Sequence, residues 1–334
     1  MRRRAAIQFL AALSAGVAVP PGTLETVLSG IDDAIGRPVD LAEWEAIVHE
    51  YGHLITSRPP GTLVGDITAD IVAVGRLLKV HEATDDVPGL LRVSAGLSGL
   101  LAIDLGYVGR RHEARTAWRT AQRAADASGD RELQVWVRGR AAQDAHWTGR
   151  PDHVVIGLAD EAIEIADGAP SGGKARAHAA RASVAADQGD ADGAKRSLVA
   201  LKDTFDRLPD DDAGLSELTF RETQLRWNES YAHTQIGDRR AEATLDDALA
   251  LYSASATRPR ANLQLMRAAL LVKSHDVDTG LHHALTTMQA HHRPHSAATG
   301  MLVNRVLHAL PKEARTNPDA QELRELAANR TALA

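Results

Sequence analysis

The sequence predicts an all-α fold, and three observations carry that prediction. Aromatic residues are only 4% of the 334, while Ala and Leu recur throughout with Arg and Asp between them, a composition suited to helices packed through small side chains. Apolar positions return at three- and four-residue spacing. Turns containing Gly recur roughly every 40 residues, a period that belongs to two-helix repeats. The chain is long enough for two ordinary domains or one elongated array, and either buries a sizeable core.

Residues 1–38 form the first segment and allow two readings. The opening MRRRAAIQFLAALSAGVAVPPG has the order of an export leader, basic then apolar, and Arg2 to Arg4 resemble a twin-arginine signal. It also reads as a short amphipathic helix with Ile7, Leu10, Leu13 and Val17 on one stripe, ended by Pro20 and Pro21. The second reading goes with a cytoplasmic protein, the first with an exported one. No apolar run reaches the length of about 18 residues that a span requires, so no membrane partner is expected.

Residues 39–88 form an N-terminal helical cap. Its first helix runs from an Asp40 N-cap to Ser57, where Pro59 and Pro60 forbid continuation. Leu41, Trp44, Val48, Tyr51 and Ile55 make one stripe facing a neighbour. The same helix carries His49-Glu50-Tyr51-Gly52-His53, a match to H-E-x-x-H, in which two His one turn apart bind zinc and the Glu is general base. Glu82 offers a third ligand, with Asp86 behind it. The apolar stripe, however, leaves His49, Glu50 and His53 on outward positions, away from the protected cavity a zinc site needs. The expectation is therefore no cofactor and no catalysis. The alternative is a zinc-dependent peptidase with His49, His53 and Glu82 as ligands and Glu50 as base.

Residues 89–334 read as about five helical hairpins with C-terminal capping helices. The first four turn at Gly109, Gly149, Gly189 and Gly237, with Pro151 opening a helix at its N1 position, and the fifth turns around Asp276 to Gly280. A single hairpin cannot cover its own apolar stripe, so successive hairpins stack and share a core. The first helix of each unit then lines a groove. Trp136, Arg140 and Gln143 in the second unit, Trp227, Asn228 and Tyr231 in the fourth, and Gln264 in the fifth bring aromatic and hydrogen-bonding groups to such helices and are the candidate ligand residues.

Other features carry less. His282, His283, His291, His292 and His295 are a dense His tract without ligand spacing, read as a helix end and loop before a Ser296 cap. PDDDAGLSEL, 209–218, lacks the alternating carboxylates of a calcium loop and reads as an inter-repeat connection; SGGK, 171–174, lacks the spacing of a phosphate loop. The absence of Cys excludes disulfides, thiol catalysis and Cys-zinc sites. A net charge of -6 gives no electrostatic reason to bind nucleic acid.

LGYVGRRHEARTAW and YAHTQIGDRRAEATLDDAL resemble tetratricopeptide repeats, with wider spacing than usual. The order of MRRRAAIQFLAAL, WEAIVHEYGHLITSRPPGTLVGDITADIVAVGRLL, the hairpins and HRPHSAATGMLVNRVLHAL is similar, over nearly all of the chain, to the C-terminal sensor region of actinobacterial regulators with a helix-turn-helix domain of the XRE type. The resemblance implies a right-handed superhelix of tetratricopeptide-like hairpins, and a non-catalytic sensor that binds a peptide, a small signal molecule or a partner protein in its groove and acts in transcriptional regulation. It also singles out Tyr51, Gly52 and the Pro pair as the recognisable residues of the cap. The family's helix-turn-helix does not precede Met1, so direct DNA binding by this chain is not expected; a homodimer is a candidate assembly.

Overall fold

The computed structural model describes residues 39–82, 84–209, 216–290 and 296–331. Both readings of residues 1–38 lie outside them. Among the described residues the chain is all-α, with fourteen α-helices, one 3-10 turn at Lys312–Thr316 and no strand. In order they are α1 (Leu41–Ser57), α2 (Val64–Val80), α3 (Val87–Tyr107), α4 (Arg111–Ser128), α5 (Arg131–Trp147), α6 (Asp152–Ala166), α7 (Gly172–Asp187), α8 (Ala191–Phe205), α9 (Glu222–Ile236), α10 (Ala241–Leu251), α11 (Thr257–Lys273), α12 (Val277–Ala290), α13 (Ala297–Ala309) and α14 (Pro318–Thr331).

Local chemistry sets most of these boundaries. Asp40, Asp130, Ser171, Asp190 and Ser296 accept hydrogen bonds from backbone N–H groups in the first turns of α1, α5, α7, α8 and α13. Gly109, Gly149, Gly189 and Gly237 each hold a left-handed conformation between the two helices of a pair, which costs Gly least. Two boundaries differ from the sequence reading. Pro151 is the N-cap of α6 rather than its first helical residue. The turn between α11 and α12 lies at Ser274 to Asp276, with His275 left-handed at φ 67°, while Gly280 sits inside α12, buried against Val272. A Cβ on Gly280 would lie 2.7 Å from Val272 Cγ2, so this Gly serves close packing and not the turn.

Helices pair in sequence: α3 with α4, α5 with α6, α7 with α8, α9 with α10, and α11 with α12. The first members also touch each other in succession, α3 to α5, α7, α9, α11 and α13, and α13 reaches back to α5. The inner row therefore curls toward itself. Between α5 and α7 the backbones meet: a Cβ on Gly139 would lie 2.0 Å from the Gly173 carbonyl oxygen. The second Gly of SGGK is thus a packing residue, with Ser171 as the cap.

The cap packs on α3 through its predicted stripe. Leu41 meets Gly89 and Val48 meets Gly96, a seven-residue step on both helices, so two small residues on α3 accept two branched ones on α1. Helix α3 is long and apolar enough to cross a membrane by length and composition, but 78% of that window is buried inside the protein. Its apolar character is that of a core helix covered by α1, α2, α4 and α5.

Candidate ligand-binding cavity

The inner row makes a concave surface, and part of the α8–α9 connection lies across it. Ser216 to Thr219 are held there by groups far apart in sequence. The Glu217 N–H donates to the Gly52 carbonyl at 2.9 Å, Trp136 Nε1 donates to the Glu217 carbonyl at 3.1 Å, and Arg176 Nη2 donates to the carbonyls of Glu217 and Thr219 at 3.1 and 2.9 Å. Gly52 is small because this segment rests on it: a Cβ there would lie 2.7 Å from Ser216 Oγ. Tyr51 on the same helix donates its hydroxyl to Asp70 on α2 at 2.7 Å.

The Glu217 side chain ends between two buried arginines. Its carboxylate accepts from Tyr107 Oη at 2.6 Å and Arg140 Nε at 3.2 Å, with Arg176 Nη2 at 3.8 Å. Burial alone would raise the Glu217 carboxyl, but the charges of Arg140 and Arg176, the Tyr107 hydrogen bond and the nearby Arg258 outweigh it and hold the pKa down at about 2. Burial and the Glu217 charge push the Tyr107 phenol up to about 12, so it stays a donor. The network continues through Arg176 Nη1 to Gln143 Oε1 at 3.0 Å and from Asn228 Nδ2 to the Gln224 carbonyl at 2.6 Å. Every charge here is either paired or next to an opposite charge, as burial requires.

Beside this network lies a cavity of about 330 Å³, walled by the C-terminal end of α1, by α3, α5, α7 and α9, and by the N-terminal turns of α11 and α13. That volume falls at the small end of small-molecule sites. Its apolar wall is Trp147, Trp227 and Tyr252; the two indoles meet edge to face with centroids 5.0 Å apart. Gln143, Asn228 and Asn262 add amides, and Arg258 lies with its guanidinium 4.0 Å above the Tyr107 ring. The arrangement offers shape, stacking faces and fixed hydrogen-bonding groups.

The seven candidate groove residues divide in the structure. Arg140, Gln143, Trp227 and Asn228 line the cavity. Trp136 is buried and grips the Glu217 carbonyl instead. Tyr231 is fully buried and donates to Asp187 at 2.7 Å, and Gln264 turns to the next helix of its own pair, where His283 Nε2 meets its Oε1 at 2.7 Å. These last two are correctly placed on inner helices but on faces turned toward neighbours. Sequence reasoning missed Glu217, Arg176, Tyr107, Trp147 and Arg258. A signal existed for Trp147, one helical turn beyond Gln143, and none for Glu217.

The H-E-x-x-H residues do not assemble a ligand set. His49 and Glu50 are exposed on α1, His53 is half-buried, and Glu82 is exposed beyond the end of α2. Among the described residues no three His, Asp or Glu side chains are grouped so that they could hold a metal ion. Of the His tract, His282 is exposed and His283 is bonded to Gln264, while His291, His292 and His295 lie outside the described residues. No protein-family model matches the chain, and no curated protein is significantly similar to it.

Proposed function

We propose that this protein is a non-catalytic sensor whose inner groove binds a small signal molecule in the cavity between Trp147, Trp227 and the Glu217 network. One observation carries the reading: the cavity lies where the cap, the Ser216–Thr219 segment and the starts of α11 and α13 converge on the inner row. A ligand there contacts parts of the chain that lie far apart in sequence, from the end of α1 to the start of α13. With Ser216 to Thr219 occupying the neighbouring stretch of the concave surface, the remaining volume suits a small molecule better than an extended peptide. The hairpins in this reading form a right-handed superhelix of the tetratricopeptide kind. A ligand shifts its curvature only by its differential affinity for two arrangements. The output, following the family resemblance, is regulation of transcription through a partner protein.

The test is a thermal-shift screen of a metabolite panel against the wild type, Trp227→Ala and Asn228→Leu, with small-angle scattering on any ligand found. A true ligand raises the wild-type Tm, loses most of that effect in both variants, and changes the radius of gyration. Stabilisation that persists undiminished in both variants would place binding elsewhere and sink the proposal.

A further inference from the structure

The charge balance of the cavity goes one step further and gives the chemical class of the ligand, an inference that rests on reading the cavity as a ligand site. Four arginines line it, Arg58, Arg140, Arg176 and Arg258, against two carboxylates, Asp144 and Glu217, a surplus of two positive charges. The carboxylates are already engaged. Glu217 is shared by Arg140 and Arg176, and Asp144 accepts from Trp118 Nε1 at 3.2 Å. Arg58 and Arg258 have no ion pair among the described residues, and Arg258 Nη1 is a buried donor with no hydrogen-bond partner. Arg176 Nε, on a side chain only 4% exposed, is a second such donor.

Buried guanidinium donors without acceptors are costly, so a cavity with this surplus favours an anion. The Tyr107 face fixes the Arg258 plane without satisfying its N–H groups, which leaves the fork free for a planar or tetrahedral acid. The indoles of Trp147 and Trp227, packed edge to face, line the same space and offer aromatic surface to a flat apolar group. We infer that the cavity takes a small organic anion with a flat apolar body, its acid group received by Arg258 and Arg58 and its body laid against Trp147 and Trp227. A neutral molecule of the same shape would leave the Arg258 donor unpaired.

Two dyes of nearly the same shape test this on the whole chain: 1-anilinonaphthalene-8-sulfonate, which carries an acid group, and the neutral N-phenyl-1-naphthylamine. Binding is followed by dye fluorescence, with circular dichroism as the check that each variant is folded. The sulfonate is expected to bind at one per chain and at least tenfold more tightly than the neutral dye. Arg258→Gln should weaken the sulfonate tenfold or more and leave the neutral dye within twofold; Arg58→Gln, at an exposed position whose side chain has no ion pair among the described residues, should act in the same direction more weakly. Trp227→Ala should weaken both dyes. Equal binding of the two dyes, indifferent to both Arg variants but sensitive to Trp227→Ala, would overturn the anion class and leave the cavity reading standing. Failure of both dyes to bind, or binding indifferent to Trp227→Ala, would overturn both.

Discussion

Glu217→Gln removes one negative charge from the joint between cap and array while keeping the side chain's size and an acceptor for Tyr107. The cost can be worked in two ways. A native carboxyl held at about 2 against an ordinary 4.5 corresponds to about 3 kcal/mol, at 1.36 kcal/mol per tenfold. Leaving Arg140 and Arg176 buried without their partner costs about 3–5 kcal/mol by analogy with broken buried pairs. Glu217 is only 8% exposed, so solvent screening takes little from either figure. Because the native pKa is depressed, the contribution is complete above about 4.5 and is lost as pH falls toward 2. Stacked hairpins can open in segments, so the assay is native-state hydrogen exchange at the Glu217 amide and along α1, together with urea unfolding at pH 7. The expected loss is about 3 kcal/mol in the opening free energy of α1 and the Ser216–Thr219 segment, narrowing below pH 4.5. A loss under about 1 kcal/mol at pH 7, the value of an exposed pair, would refute the view that this carboxylate joins the two parts.

Three further outcomes are expected. Gly139→Ala forces a methyl toward the Gly173 carbonyl and should destabilise the protein by about 1–3 kcal/mol in urea, whereas Gly65→Ala, with open space around it in α2, should stabilise by about 0.5–1 kcal/mol; equal effects would deny the close crossing of α5 and α7. His146 is held neutral, its pKa lowered to about 4 by burial and then by Arg305, and His178 is lowered to about 4 by burial and Lys174. The unfolded chain therefore binds protons that the native one does not, and stability should fall between pH 6.5 and 4, by about 3 kcal/mol for His146; a slope unchanged in His146→Gln/His178→Gln would contradict this. Elemental mass spectrometry of tag-free protein, after exposure to zinc and desalting, should find well under one zinc per chain, and stoichiometric zinc lost in His49→Ala/His53→Ala would restore the peptidase alternative.

The helices and their pairing were legible because their signals are local. Asp40 caps α1 three residues before the N–H it accepts from, and four of the five pair turns fall on a Gly with positive φ. The fifth misled because Gly280 looks like a turn residue but is small for packing, while His275 took the left-handed position. The meaning of HEYGH was legible in part: the stripe placed Leu41 and Val48 on the core, but only the structure shows that Gly52 is the seat of Ser216 and Glu217. Glu217 itself was out of reach. Its side-chain partners stand 77 and 110 residues upstream, at Arg140 and Tyr107, and no periodic pattern links a connection to three helices at that separation.

The inner helices show where such a site can be sought in a sequence of this kind. On α7 the buried residues include Gly173, Lys174, Ala175, Arg176 and Ala177 in one unbroken run, so this first part of the helix offers no solvated face to a polar side chain, while Arg181 further along is exposed. On α5 the same holds from Gly139 to Gln143, with Arg140 and Gln143 among the buried residues. A charged residue in such a covered stretch must be paired from elsewhere in the chain or from outside it. Arg140 and Arg176 are paired from within, by Glu217, and their role is to fix the joint. Arg258, at the start of α11, has an aromatic face beneath it and, among the described residues, no acceptor at Nη1. The distinction between a charge that builds the fold and a charge that awaits a ligand is therefore a matter of counting acceptors, and at this cavity the count falls short on the side of the cations.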